Sequence, residues 1–283
     1  MLDLVSDAKA RVGAQSGVEV VRGADGSRIH CVHAGAGPSV VLAHGYLLEL
    51  GAYDLVFGEL VRAGYHVIAF DQRGHGRSQA GSDGHRSAAA ASDYGAVLEH
   101  FDVRDGTLVA HSMGSFLGLV FCLRHGALAV RRLRRLVVLG GTGGVVGNGN
   151  LQTRLQVPLL KSGLVRALWR FPPTGRAFVS QLFGEKADPH FVELTRAMLL
   201  RQDLRLSLPL LHALTHESYY AHLHDIPIET RVICGELDRT CPPVHSRRLV
   251  AALPNATVQW LPGIGHMLGY EAPEVIVQAV RSA

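Results

Sequence analysis

GTLVAHSMGSFLGLVF, residues 106–121, sets a serine between two apolar runs. Ahead of Ser112, "GTLVA" reads as a short strand apolar enough to be buried on both faces. Behind it, "SFLGLVFCLRHG" is apolar almost all round, as a central helix is, and Gly126 ends it. A serine on so sharp a strand-to-helix turn stands at the carboxyl edge of a parallel sheet, where such sheets place ligands. The turn requires small residues two before and two after the serine, here Ala110 and Gly114. The usual pattern is G-x-S-x-G, from which Ala110 departs by one methyl group. On these residues alone two readings stand: Ser112 is a nucleophile, or it is the N-cap of a buried helix.

Working outward, the chain from 38 to 141 alternates strand and helix. "SVVLA" (39–43), "HVIAF" (66–70) and "LRRLVVLGG" are apolar strands. Residues 52–63 carry a helical stripe of Tyr53, Val56, Phe57, Leu60 and Val61 stopped by Gly64, and "SDYGAVLEHF" (92–101) predicts another helix. Upstream, two β-prone runs flank "GADGS", a hairpin signal. This rhythm argues a mostly parallel sheet with helices on both faces. It stops at 142–225, where "LQTRLQVPLLKSGLVRALWRF" and "DPHFVELTRAMLLRQDL" show helical spacing and no clear strand. It resumes with "ETRVICG" (229–235), a helix near 244–252, "ATVQWLPG" (256–263) and a helix over 274–281. The expected organisation is therefore a core of residues 1–141 and 226–283, interrupted by an all-helical cap at 142–225.

A serine hydroxyl attacks only when a base takes its proton, and the base needs a third group to fix its tautomer. In folds with this elbow the chain order is serine, acid, histidine. "GELDRTCPP" places Asp238 on the loop leaving the penultimate strand, and "LPGIGHMLGYEAPE" places His266 after the last strand. Glu236 is the rival acid, but it lies closer to the strand end, so Asp238 is preferred. The His-Gly pair of "LAHGY" (42–46) turns the chain after the third strand. The expected oxyanion donors are the backbone N–H groups of Tyr46 and Met113. His44 is read as shaping that loop.

The segments "AHGY", "FDQRGHGRS" (70–78), "AHSMG", "GELDRTCPP" and "GIGHM", in that order, resemble the α/β-hydrolase superfamily over residues 18–141 and 226–283. The resemblance implies an eight-stranded sheet with the first hairpin strand antiparallel, and a helical lid after strand six. It assigns Asp71, Arg73 and the glycines of the second segment to loop architecture. It also implies an acyl-enzyme on Ser112, with His266 as base, Asp238 orienting it, and no cofactor. Relatives that open epoxides or remove halides carry aspartate at the elbow, so serine argues against those reactions.

The chain of 283 residues is 47% hydrophobic and 18% charged, with 32 glycines and a net charge of +4. "RRLRR" (131–135) is its only dense basic cluster and reads as a solvated corner, so no nucleic-acid partner is expected. The four cysteines have no zinc spacing and read as reduced, buried thiols. No apolar stretch is long enough to span a membrane, and "MLDLVSDAKARVG" lacks a signal-peptide core, so a cytoplasmic location is expected. Four histidines in "HALTHESYYAHLH" (212–224) lack the zincin arrangement, and no metal is expected there. "GGTGGVVGNG" (140–149) does not fit a dinucleotide loop and reads as a hinge into the cap. Leu47, Leu48 and a leucine-rich cap with Trp169, Phe171 and Phe178 suit a small-molecule substrate, an apolar acyl ester. A thioesterase, a C–C bond hydrolase or another acyl-transfer enzyme on the same three residues is the alternative. A non-catalytic ligand-binding protein on this fold is a third.

Overall fold

The computed structural model describes residues 16–146 and 164–281. The readings placed on the N-terminal thirteen residues, on 147–149 of the glycine-rich run and on 151–163 lie outside the described residues.

Eight strands form one sheet: β1 (Ser16–Arg22), β2 (Arg28–Ala34), β3 (Ser39–Ala43), β4 (His66–Phe70), β5 (Gly106–His111), β6 (Leu133–Leu139), β7 (Glu229–Gly235) and β8 (Ala256–Leu261). Their spatial order is β1-β2-β4-β3-β5-β6-β7-β8. From β4 across to β8 every pairing is parallel. β2 pairs antiparallel with both β1 and β4, so the strand running against the rest is the second of the hairpin, not the first. The hairpin turn follows its Asp-Gly signal: Gly26 takes φ +81°, and Asp25 Oδ1 accepts the Ser27 N–H at 3.1 Å.

Alternation along each strand divides the core in two. Val40 and Leu42 of β3 face helices α1 (Asp54–Arg62) and α11 (Pro273–Arg281), while Val41 and Ala43 face α2 (Ser87–His100) and α3 (Met113–Arg124). Residues Met113 to Cys122 of α3 are all buried, which accounts for a helix apolar on every side. A further helix, α4 (Gly126–Arg132), leads into β6. Here the expected solvated corner needs correction. Arg131 and Arg134 are exposed, but Arg135 is fully buried, paired at 3.0 Å with Glu229 and donating to the Val280 carbonyl at 3.2 Å. A buried guanidinium so placed has its donors satisfied at the sheet's amino-terminal side.

Between β6 and β7 the described residues form α5 (Leu164–Arg170), α6 (Pro172–Ser180), α7 (Pro189–Arg201), α8 (Leu204–His216) and a 3-10 turn (Tyr220–Asp225). Entry and exit of this excursion are stitched together. Gly144 bridges Ser218, the Val145 N–H donates to Glu217 O at 3.0 Å, and the Tyr219 N–H donates to Gly143 O at 2.8 Å. A third apolar cluster joins Leu47, Leu48, Trp169, Phe183, Met198, Leu211, Met267 and Tyr270, and so binds the loop after β3, the excursion and the loop after β8. The remaining helices are α9 (Pro243–Ala252) and the short α10 (Leu268–Glu271). Among the described residues no single helix is long and apolar enough to cross a membrane.

Candidate active site

The carboxyl ends of β3, β4, β5, β6, β7 and β8 bring the loops singled out in the sequence to one edge. Ser112 is the hinge between β5 and α3, at φ +52° and ψ −116°. A non-glycine residue there carries strain of about 1–3 kcal/mol, which the surroundings must hold. Its N–H donates to Leu139 O at 2.9 Å, and its carbonyl accepts from Ser115 N at 3.0 Å and Ser115 Oγ at 2.6 Å. The hydroxyl of Ser112 makes no cap bond to its helix, so the N-cap reading does not describe this side chain.

Asp238 and His266 meet. His266 Nδ1 lies 2.7 Å from Asp238 Oδ2, both side chains almost wholly buried. The other carboxylate oxygen accepts the backbone N–H groups of Thr240 and Cys241, each at 2.8 Å. Three donors thus fix the carboxylate, and a charge-assisted contact in a dry site is the strong kind. Glu236 is exposed, which leaves Asp238 as the partner of His266. Gly140, at φ +49°, backs directly on the pair: a Cβ there would sit 2.9 Å from Asp238 Oδ2 and 3.2 Å from His266 Nδ1. The excursion holds the same loop from the far side, where the His266 N–H donates to Leu182 O at 2.7 Å.

Met113 follows the serine in the chain, and Tyr46 lies in the loop after β3. The loop after β3 closes a turn through Leu48 N and Gly45 O at 3.2 Å with Leu47 at φ +58°, which leaves the Tyr46 amide unused by the turn. A Cβ at Gly45 would fall 3.2 Å from Ser112 Cβ, so this loop packs on the elbow itself. Met113 is the first residue of α3, where helix geometry leaves the amide without an intrahelical acceptor. His44, fully buried, accepts the Gln72 N–H on Nε2 at 3.0 Å and donates from Nδ1 to the Gly45 carbonyl at 2.8 Å. Asp71 accepts from Leu50 N and Arg77 N at 2.9 Å each, and Arg73 is buried against Asp93 and Asp25. These residues tie the loop after β4 to the loop after β3.

Sequence reasoning missed three neighbours. They are His111, whose Nε2 reaches the His266 carbonyl, Gly140 behind the pair, and Cys241, whose thiol interacts with the Ser112 hydroxyl. Burial, then the charge of Asp238, raises that thiol well above its ordinary pKa. All four cysteines are free and buried. His212, His216, His222 and His224 are exposed, and among the described residues no group of three or more side chains is arranged to hold a metal.

The loop after β4 carries a pH dependence. Burial first, then neighbouring His44, lowers the pKa of His75 from 6.5 to about 3, against the opposing Arg73 carbonyl and Asp71 charge. Unfolded, His75 takes up a proton as pH falls through 6.5; folded, it does not until about 3. Its stability contribution is therefore complete above pH 6.5 and is lost on acidification, by about 2 kcal/mol between pH 7 and pH 5. His44 and His111, also lowered by burial, act in the same direction. Urea titrations at both pH values should show a smaller acid loss for His75→Phe than for the native chain; equal losses would refute the assignment.

A family model described as the alpha/beta hydrolase family matches residues 40–279. The chain is 30% identical over 250 residues to a protein of Kitasatospora aureofaciens named non-heme chloroperoxidase CPO-A1, covering 86% of this chain and 90% of that one. It is 28% identical to a 2-hydroxy-6-oxononadienedioate/2-hydroxy-6-oxononatrienedioate hydrolase of Cupriavidus pinatubonensis, covering 86% of each. In fold it superposes on an esterase from Exiguobacterium antarcticum with a TM-score of 0.82 at 21% identity, covering 93% of this chain and 99% of that one.

Proposed function

The chain belongs to the alpha/beta hydrolase family, and on that footing we propose that it is a serine hydrolase cleaving a lipophilic carboxylic ester through an acyl-enzyme on Ser112. The observation that carries this reading is the buried 2.7 Å contact between His266 Nδ1 and Asp238 Oδ2, with the His266 carbonyl bonded by His111, the residue before a serine held on a strained turn. The carboxylate keeps the proton on Nδ1 and leaves Nε2 as the acceptor. Ser112 Oγ attacks the acyl carbon as its proton passes to Nε2, and the amides of Tyr46 and Met113 hold the oxyanion. Each such donor is worth on the order of 3 kcal/mol of transition-state stabilisation. His266 returns the proton to the leaving alcohol. Water, deprotonated by the same imidazole, then releases the acid.

In this reading residues 142–225 are the cap, and the core is 1–141 with 226–283. Leu47, Leu48, Trp169, Phe183 and Met267, which cluster where the cap meets the loops after β3 and β8, favour an apolar acyl group. The test is turnover of p-nitrophenyl acetate, butyrate and octanoate. Cleavage rising with chain length, and reduced by about four orders of magnitude in Ser112→Ala, is expected; no turnover of any ester by the native chain would refute the reading. Perhydrolysis is the second reading, favoured by the 30% identity to a protein named as a chloroperoxidase. Hydrogen peroxide in place of water at the second step gives a peroxy acid, which oxidises halide. Peroxide-dependent halogenation that requires the ester as acyl donor, and that outpaces release of the free acid, would move the assignment there.

A further inference from the structure

His111 takes no part in the steps proposed above, yet it touches three of the loops they use. It immediately precedes Ser112 and is itself buried. Its Nε2 lies 2.8 Å from the carbonyl oxygen of His266, 155 residues away in sequence. A carbonyl has no proton to give, so the contact requires the proton on Nε2. The two imidazole centroids are 4.6 Å apart and tilted by 47°. On the opposite edge, Gly45 of the oxyanion-side loop approaches so closely that a Cβ would fall 2.8 Å from His111 Nδ1. Burial and the neighbouring His266 keep this imidazole neutral, so it has a single proton to place.

We infer that His111 is a positioning residue for the proposed hydrolysis, an inference that rests on the reading of Ser112, His266 and Asp238 given above: its Nε2–H holds the backbone of His266 in register with Asp238 and Ser112. The backbone of His266 is then gripped at both ends. Its N–H is held by Leu182 of the excursion and its carbonyl by the residue before the nucleophile. Losing the second grip leaves a buried carbonyl unsatisfied and frees the imidazole to drift, and a displacement of about 1 Å at a reacting group costs on the order of a hundredfold in rate.

The test pairs His111→Leu, which has no donor, with His111→Gln, whose amide N–H is long enough to replace it. Measured on the best p-nitrophenyl ester, the leucine variant should lose about 30-fold in kcat with KM within about threefold, and fluorophosphonate labelling of Ser112 should slow in parallel. The glutamine variant should recover most of both. Equal loss in the two variants, no loss in either, or a loss confined to KM would overturn the proposal. Nitrogen-resolved NMR of the native chain gives a second decision independent of how the variants fold. A proton resident on His111 Nε2 from pH 5 to 8 is expected, and an Nδ1 tautomer or a titration in that range would overturn it. A native chain that neither labels nor cleaves any ester would instead sink the hydrolase reading itself, with the tautomer still deciding the contact.

Discussion

Asp238→Asn should lower kcat for ester cleavage by about three to four orders of magnitude while leaving KM and the fold nearly unchanged. The size follows from the contacts of the carboxylate. Asp238 Oδ1 accepts two backbone N–H groups, from Thr240 and Cys241. An asparagine keeps those bonds only by turning its carbonyl oxygen to them, which points its NH2 at His266 Nδ1. Facing a donor, Nδ1 becomes the acceptor and the ring proton moves to Nε2. The imidazole then offers Ser112 a proton where it should take one. Steady-state kinetics with a p-nitrophenyl ester, beside circular dichroism, decides the matter; a loss of tenfold or less would mean that Asp238 does not orient the base. If the three side chains act as a unit, the double variant Asp238→Asn/His266→Ala should be no slower than His266→Ala alone.

Gly114→Ala should destabilise the protein by about 3 kcal/mol and lower Tm by about 6–12 °C. A Cβ on residue 114 would lie inside hard-contact distance of the Ala43 carbonyl oxygen and 2.7 Å from that of His44. Both obstacles are backbone at the end of β3, and neither can swing aside as a side chain end would. The only relief is to push α3 off the sheet, which moves the turn on which Ser112 sits and removes activity with stability. Ala110→Gly, the reverse change at the other small position, should cost at most about 1 kcal/mol through chain entropy. Thermal unfolding of the two variants separates these outcomes, and comparable Tm values for both would refute the steric account of the elbow.

The contrast between residues 110 and 114 shows what the sequence discloses. Small residues around Ser112 are legible as a turn, but only the packing of β3 against α3 tells that one position takes a methyl group and the other does not. The strands are equally legible, because burial on both faces writes itself as apolar runs such as "SVVLA" and "GTLVA". Helix α2 begins at Ser87, five residues before its predicted start, since its opening run of alanines has no apolar stripe to read. Helix α4 has no signal in the sequence, because seven residues ending in arginines resemble a corner. The order of β4 and β3 in the sheet leaves no trace in local pattern.

The site divides along the same line. Ser112, Asp238 and His266 stand out as candidates in the sequence because each lies within a recognisable segment. His111, Gly140 and Cys241 neighbour these candidates through contacts between residues far apart in the chain, one of them a backbone carbonyl and one a missing Cβ. Such contacts have no spacing to detect. The buried Arg135 is a further instance, since its partner Glu229 lies 94 residues on.

The most direct test of the central claim, an activated serine at position 112, is intact-protein mass after exposure to a fluorophosphonate. The account predicts one adduct per chain on the native protein and none on Ser112→Ala. A native protein that gains no mass, or an alanine variant that gains the same adduct, would contradict it.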